Sequence, residues 1–185
     1  GLALSEGFMA RERAWLATQG ADAEVAERYL RRVLEVMRAS TVPDSEEKPL
    51  GGLIGGESEK LRALAEAHAG VCDEQTALLS ANAMGVLETN ASMGRIVAAP
   101  TAGASGVLPA VLFTLQETKG YSDDELCRAL ESAAAIGYFI ARNATVAGAE
   151  GGCQAEVGAA SAMAAAAAVE LAGGTPRMCL DAAAN

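Results

Sequence analysis

Along most of the chain apolar residues return every three or four positions, while alternation of the Val-x-Ile-x kind is scarce, a rhythm that belongs to helices. Within residues 21–38, Ala26, Leu30, Val33, Leu34 and Met37 form one such stripe with Glu and Arg opposite, which predicts an amphipathic helix. Residues 57–69 carry Leu61, Leu64 and Ala65 under a charged outer face, with Gly70 as a stop. From residue 73 to about residue 93 the pattern is apolar on most sides, with Leu78, Leu79, Ala83, Val86 and Leu87, so this segment is expected to be a central helix that partly buries Asn82, Asn90 and Ser92. Ser122-Asp123-Asp124-Glu125 has the form of a capping box opening a helix to about Arg142. Gly173-Gly174 followed by Thr175-Pro176 reads as one helix ending on glycine and the next starting on proline. The expected fold is all-α: one domain over residues 1–185, a helical bundle with a buried central helix and glycine-rich connecting loops.

Composition sharpens this picture. Of 185 residues 51% are hydrophobic but only 4% aromatic, so the core must be built from Ala, Val and Leu, whose small side chains let helices pack closely. Twenty-four acidic against 14 basic residues give a net charge of −10, which repels phosphate backbones and anionic membranes and argues against both as partners. No uninterrupted apolar run approaches the roughly 18 residues of a membrane span, and no basic-then-apolar leader opens the chain, so a cytoplasmic protein is the expectation. Cysteines at 72, 127, 153 and 179 are too few and too scattered for a disulfide scaffold. The chain begins Gly1-Leu2 and ends at Asn185 directly after residues 180–184, which read as mid-helix; both ends are expected to be cuts or unobserved tails.

Three glycine-rich loops stand at helix starts: residues 51–56, 101–106 and 147–152. Glycine permits close backbone approach, and helix N-termini offer free amides to anions, so the three together could form one anion-binding pocket. Each alone also reads as a tight connection in an alanine-rich bundle. Cys153 follows the third loop and opens a long helix, where the dipole and free amides favour a thiolate, both nucleophile and metal ligand. The lone histidine, His68, lies in a polar run and reads as a solvated side chain, so a Cys/His nucleophilic site is not expected. No Cys or His spacing matches a zinc finger or a ferredoxin. Cys127 and Cys179 read as core.

Pro100-Thr101-Ala102-Gly103-Ala104-Ser105-Gly106 within residues 90–110, Gly151-Gly152-Cys153-Gln154-Ala155-Glu156-Val157-Gly158 within residues 142–158, and Met163-Ala164-Ala165-Ala166 together resemble the alpha subunit or alpha domain of iron-sulfur-dependent L-serine dehydratases. The loop Gly52-Leu53-Ile54-Gly55-Gly56-Glu57 is also similar to that family's, and the resemblance runs from about residue 51 to residue 184. It implies a lyase that converts L-serine to pyruvate and ammonia, with a 4Fe-4S cluster whose open iron takes charge from the leaving hydroxyl as a Lewis acid. The family's first cluster ligand falls on Cys153. Its other two lie in a Cys-Asp-Pro and a Pro-Cys segment that this chain lacks, so two of three ligands are expected beyond the chain as given. The family's Ser-Ser-Ser-His-Thr motif, carried by the beta portion, is also missing here; the resemblance therefore implies a beta subunit or beta domain as partner, in a homo- or hetero-oligomer.

Asn90, Thr101, Gly103, Ser105 and Asn143 are the candidates for substrate contact, since their amide, hydroxyl and backbone donors suit the carboxylate and amino group of serine; each also reads as a plain turn former. Glu150 either moves a proton or caps its helix. A pyridoxal phosphate enzyme is disfavoured, because Lys48, Lys60 and Lys119 lie in charged or turn-like surroundings. Two rivals stay open: an iron-sulfur L-cysteine desulfidase sharing the alpha domain, and a noncatalytic helical assembly module.

Overall fold

The computed structural model describes residues 4–20, 24–43 and 53–185, and among these it contains eight α-helices and no strand. The helix starts are set locally. Asp73 precedes α4 (Glu74–Ala91) and accepts from the Thr76 amide at 3.0 Å; Thr175 does the same for Met178 at the start of α8 (Pro176–Ala184), where proline takes the first turn. The capping box forms as expected at α6 (Asp123–Asn143): the Glu125 amide donates to Ser122 Oγ, and the Ser122 amide donates back to Glu125 Oε2 at 2.8 Å.

Two helices lacked a legible stripe. In α1 (Leu4–Thr18) charged and apolar residues are mixed round the axis, and it rests on α6 with the Phe8 ring 6.4 Å from Tyr138. In α5 (Val107–Lys119) the apolar residues surround the helix. The stripe in residues 21–38 becomes α2 (Glu24–Ser40), with Leu34 and Met37 buried; its expected start at residues 21–23 lies outside the described residues. The helix expected over 57–69 is α3 (Glu57–Glu66), and it ends three residues early because the chain turns at His68, whose φ is 49°.

The main core joins Leu34 and Met37 of α2, Leu108, Leu112 and Phe113 of α5, Leu126 and Ile136 of α6, the alanines of α7 (Gly148–Leu171) and Cys179 of α8. Alanine and glycine let the longest pair cross closely: a Cβ on Gly137 of α6 would sit 3.0 Å from the Met163 sulfur of α7. The buried central helix is α5, in which Leu108, Pro109, Ala110, Leu112, Phe113 and Thr114 are buried in near succession and which packs on α4 and α7. The segment expected in that role, α4, lies between α3 and α5 with Leu79 and Leu87 each 37% exposed. Polar residues on its inner face are satisfied: Asn82, 0% exposed, accepts from Arg62 of α3 and donates to Thr114 of α5. No helix among the described residues is long and apolar enough to cross a membrane.

Candidate active site

The segment between α4 and α5 is seated from below. A Cβ on Gly106 would lie 2.8 Å from the Ala83 carbonyl of α4, so only glycine lets the loop come this close. Ser105 is buried and spends its hydroxyl inside the loop, donating to the Ala102 carbonyl at 2.7 Å. Thr101 and Gly103 then face α7. The Thr101 hydroxyl donates to Glu156 Oε1, and a Cβ on Gly103 would stand 2.6 Å from that same oxygen. From the other side, a Cβ on Gly148 would stand 3.0 Å from Glu156 Oε2. The carboxylate thus lies between two glycine-containing segments that leave room for it because neither carries a side chain there.

At the start of α7 the chain is broken once. Gly152, at φ 75° and ψ 173°, is the non-helical residue inside α7, a conformation that L-residues avoid, so the long alanine-rich run restarts at Cys153. Cys153 is exposed in its first turn, three residues ahead of Glu156 and so on a neighbouring part of the helix surface. Glu150 is held by a short local motif: the Thr145 hydroxyl accepts from the Ala147 amide at 3.1 Å and donates to Glu150 Oε2 at 2.7 Å.

Helix starts differ in how they are capped. Those of α4, α6 and α8 have side-chain caps, whereas those following or within the three glycine loops, α3, α5 and α7, have none. At α3 the chain supplies its own anion: the Ser58 amide donates to Glu88 Oε1 at 2.9 Å, with Glu88 buried. Its first-turn amide is therefore spoken for, while at α7 Glu150 lies in the first turn and the Glu156 carboxylate stands against Gly148.

Of the residues singled out in the sequence, Thr101 and Gly103 are brought together at Glu156. Asn143 is exposed at the end of α6, its amide donating to the Phe139 carbonyl at 2.8 Å. Asn90 is half-buried in the last turn of α4, and its carbonyl accepts from the Met93 amide at 3.1 Å. His68 is exposed and lies 3.2 Å from Glu74. Glu156 stands in a family-like motif but is not among the site candidates of the sequence, although it is the single charged residue between Glu150 and Glu170 in an otherwise alanine-rich run, which is the signal that could have found it.

The described residues do not by themselves fit a cluster that takes three thiolates. No group of three or more His, Cys, Asp or Glu among them could hold a metal ion. Cys72 is exposed on the turn before α4, while Cys127 and Cys179 pack into the bundle, where burial pushes both thiols above their ordinary range. Cys153 is the thiol beside the Thr101–Glu156 contact in sequence and on its helix.

Over residues 1–185 the chain matches the family described as serine dehydratase alpha chain, and it belongs to that family. It is similar to the L-serine dehydratase alpha chain of Peptoniphilus asaccharolyticus, 40% identical over 162 residues that make up 86% of this chain and 56% of that one. It is also similar to the L-serine dehydratase of Streptomyces coelicolor, 38% identical over 189 residues, 99% of this chain and 40% of the relative. A probable L-serine dehydratase alpha chain of Bacillus subtilis is 44% identical over 131 residues, 71% of this chain and 44% of that one. The chain spans about half the length of the curated relatives it matches.

Proposed function

We propose that this chain is the alpha part of an L-serine ammonia-lyase. The observation that carries the reading is the meeting of residues 101–103 with Gly148 and Glu156, since these belong to two separate sequence motifs and join at one carboxylate. The reaction removes a proton from Cα of serine and hydroxide from Cβ. The aminoacrylate left behind tautomerises to an imine, and water hydrolyses that imine to pyruvate and ammonia. The chain's own contribution is recognition. Thr101, Gly103, Ser105, Asn90 and Asn143 remain the residues assigned to the substrate side, with Ser105 shaping the loop from within.

In this reading the enzyme depends on a 4Fe-4S cluster that supplies Lewis acidity for the departing hydroxyl, and Cys153 is the ligand this chain provides. The remaining ligands and a beta part come from elsewhere in the assembled enzyme. The test uses that complete enzyme, reconstituted with iron and sulfide without oxygen, and follows pyruvate formation from L-serine and from L-cysteine. Serine turnover that disappears in Cys153→Ser together with the cluster's visible absorption is expected. Preferential turnover of cysteine, or full serine turnover in the variant, overturns the reading.

A further inference from the structure

We propose that Glu156 is the group that receives the ammonium of the amino-acid substrate. The inference rests on the serine reading for its substrate class, and on geometry for the residue. The carboxylate is placed with care: Thr101 holds Oε1, and the absence of a Cβ at Gly103 and Gly148 makes the space it occupies. It is half-buried, while Ala102, Gly103 and Ala149 next to it are exposed, so a small ligand can approach from solvent. Among the described residues no Lys, Arg or His forms an ion pair with it, although seven such pairs occur elsewhere. A positioned carboxylate without a cation of its own suits a ligand that brings one.

The side-chain-uncapped start of α7 lies at the same place, because Gly148 is its first residue, and the loop carrying Thr101 and Gly103 leads directly into the equally uncapped α5. The Val107 amide already donates to the Ala104 carbonyl and the Glu150 and Gly151 amides to the Ala147 carbonyl, while Pro109 carries no N–H, so the charge of a ligand is read at Glu156 and not at a helix start. Glu156 thus selects the ammonium of an α-amino acid, the substrate class of the serine reading. It also disfavours 2-hydroxy and unsubstituted acids, which would leave Glu156 facing a neutral group or an anion.

The experiment separates this role from folding and from chemistry by using two nonreacting ligands that differ only in the ammonium group. L-Alanine and propanoate are titrated calorimetrically into the complete enzyme, wild type and Glu156→Gln, and kcat and KM for L-serine are measured alongside. The variant is expected to weaken L-alanine and raise the serine KM by about 10- to 100-fold, the usual worth of one charge-assisted hydrogen bond, while propanoate binding stays as in wild type. Equal weakening of both ligands would make Glu156 a structural residue. A fall in kcat at unchanged KM would make it a proton carrier. Either result, or no change at all, overturns the proposal.

Thr101→Val is the second variant, should Glu156→Gln fail to fold. It frees one carboxylate oxygen without removing charge, and a smaller loss of L-alanine with propanoate unaffected is expected; loss of both, or of neither, overturns the proposal. The two readings fail differently. A wild-type enzyme that binds L-alanine through Glu156 yet never turns over serine would remove the dehydratase assignment and keep the residue. Serine turnover indifferent to Glu156→Gln would keep the assignment and remove the residue. A wild-type enzyme that binds no amino acid removes both.

Discussion

Glu131 on α6 carries a carboxyl whose pKa is raised from 4.5 to about 7, first by burial and further by Glu170 and Glu27, with Arg13 and Arg128 pulling the other way. Because the folded chain holds this proton more tightly than the unfolded one, the stability it contributes is fully present below about pH 4.5 and is lost as pH rises through about 7. Glu131→Gln should therefore flatten the pH dependence of the unfolding midpoint across that window and leave the variant more stable than wild type above it. The acid side runs the opposite way at Asp123, whose pKa is lowered by hydrogen bonds from Arg38 and Gln116; its contribution is lost as pH falls through the folded value. A second residue-scale outcome concerns Gly103. Adding a Cβ at 2.6 Å from Glu156 Oε1 must move the carboxylate, and an ångström-scale displacement of a substrate-binding group costs about 10- to 100-fold in kcat/KM. Gly103→Ala should show that loss in serine turnover while the thermal midpoint changes little.

At the scale of elements, close approach is decided by single glycines. Gly85 in α4 is the tightest case: a Cβ there would run into the Thr41 carbonyl beyond α2 and come within 3.2 Å of Ser58 Oγ in α3. Two polar contacts hold the same junction, Thr89 Oγ donating to the Ser40 carbonyl at 3.0 Å and Ser58 Oγ donating to the Ala81 carbonyl at 2.9 Å. Because the obstacle is backbone and cannot rotate away, Gly85→Ala should lower unfolding free energy by about 1–3 kcal/mol in urea titrations. The elements themselves were largely legible in the sequence. The stripe of α2, the capping box of α6 and the Thr175-Pro176 start of α8 are patterns read within one or two helical turns, and each appears where expected. The misjudged elements share a cause. A helix such as α5, apolar all round, has no stripe, and whether it or α4 is enclosed depends on what packs outside it.

For the molecule as a whole, cohesion between the α3–α4 pair and the rest depends in part on a buried polar relay. Arg62 of α3 donates to Asn82 of α4, which donates to Thr114 of α5 at 3.0 Å, and Arg62 also meets Glu117 at 3.4 Å. Asn82→Ala takes the partner from buried Thr114 and leaves the half-buried Arg62 with Glu117 alone, and a loss of about 1–3 kcal/mol in unfolding free energy is expected from denaturant titration. The aromatic-poor composition explains why such relays matter, since alanine faces bury little area per residue and compensate by packing closely.

By itself the sequence determined an all-helical chain, the positions of several helix ends, an anionic surface and the motifs that mark its family. These follow from interactions a few residues long, from composition, or from residue order, and need no knowledge of neighbours in space. Tertiary structure alone decided that the helix enclosed by others is α5, that the glycine loop before α3 has its anion supplied by Glu88, and that Thr101 meets Glu156 across 55 residues of sequence. Glu156 reads along the chain as one carboxylate on a helix; it becomes a site only where α5, α7 and their glycine loops close around it, because that contact depends on how whole helices pack.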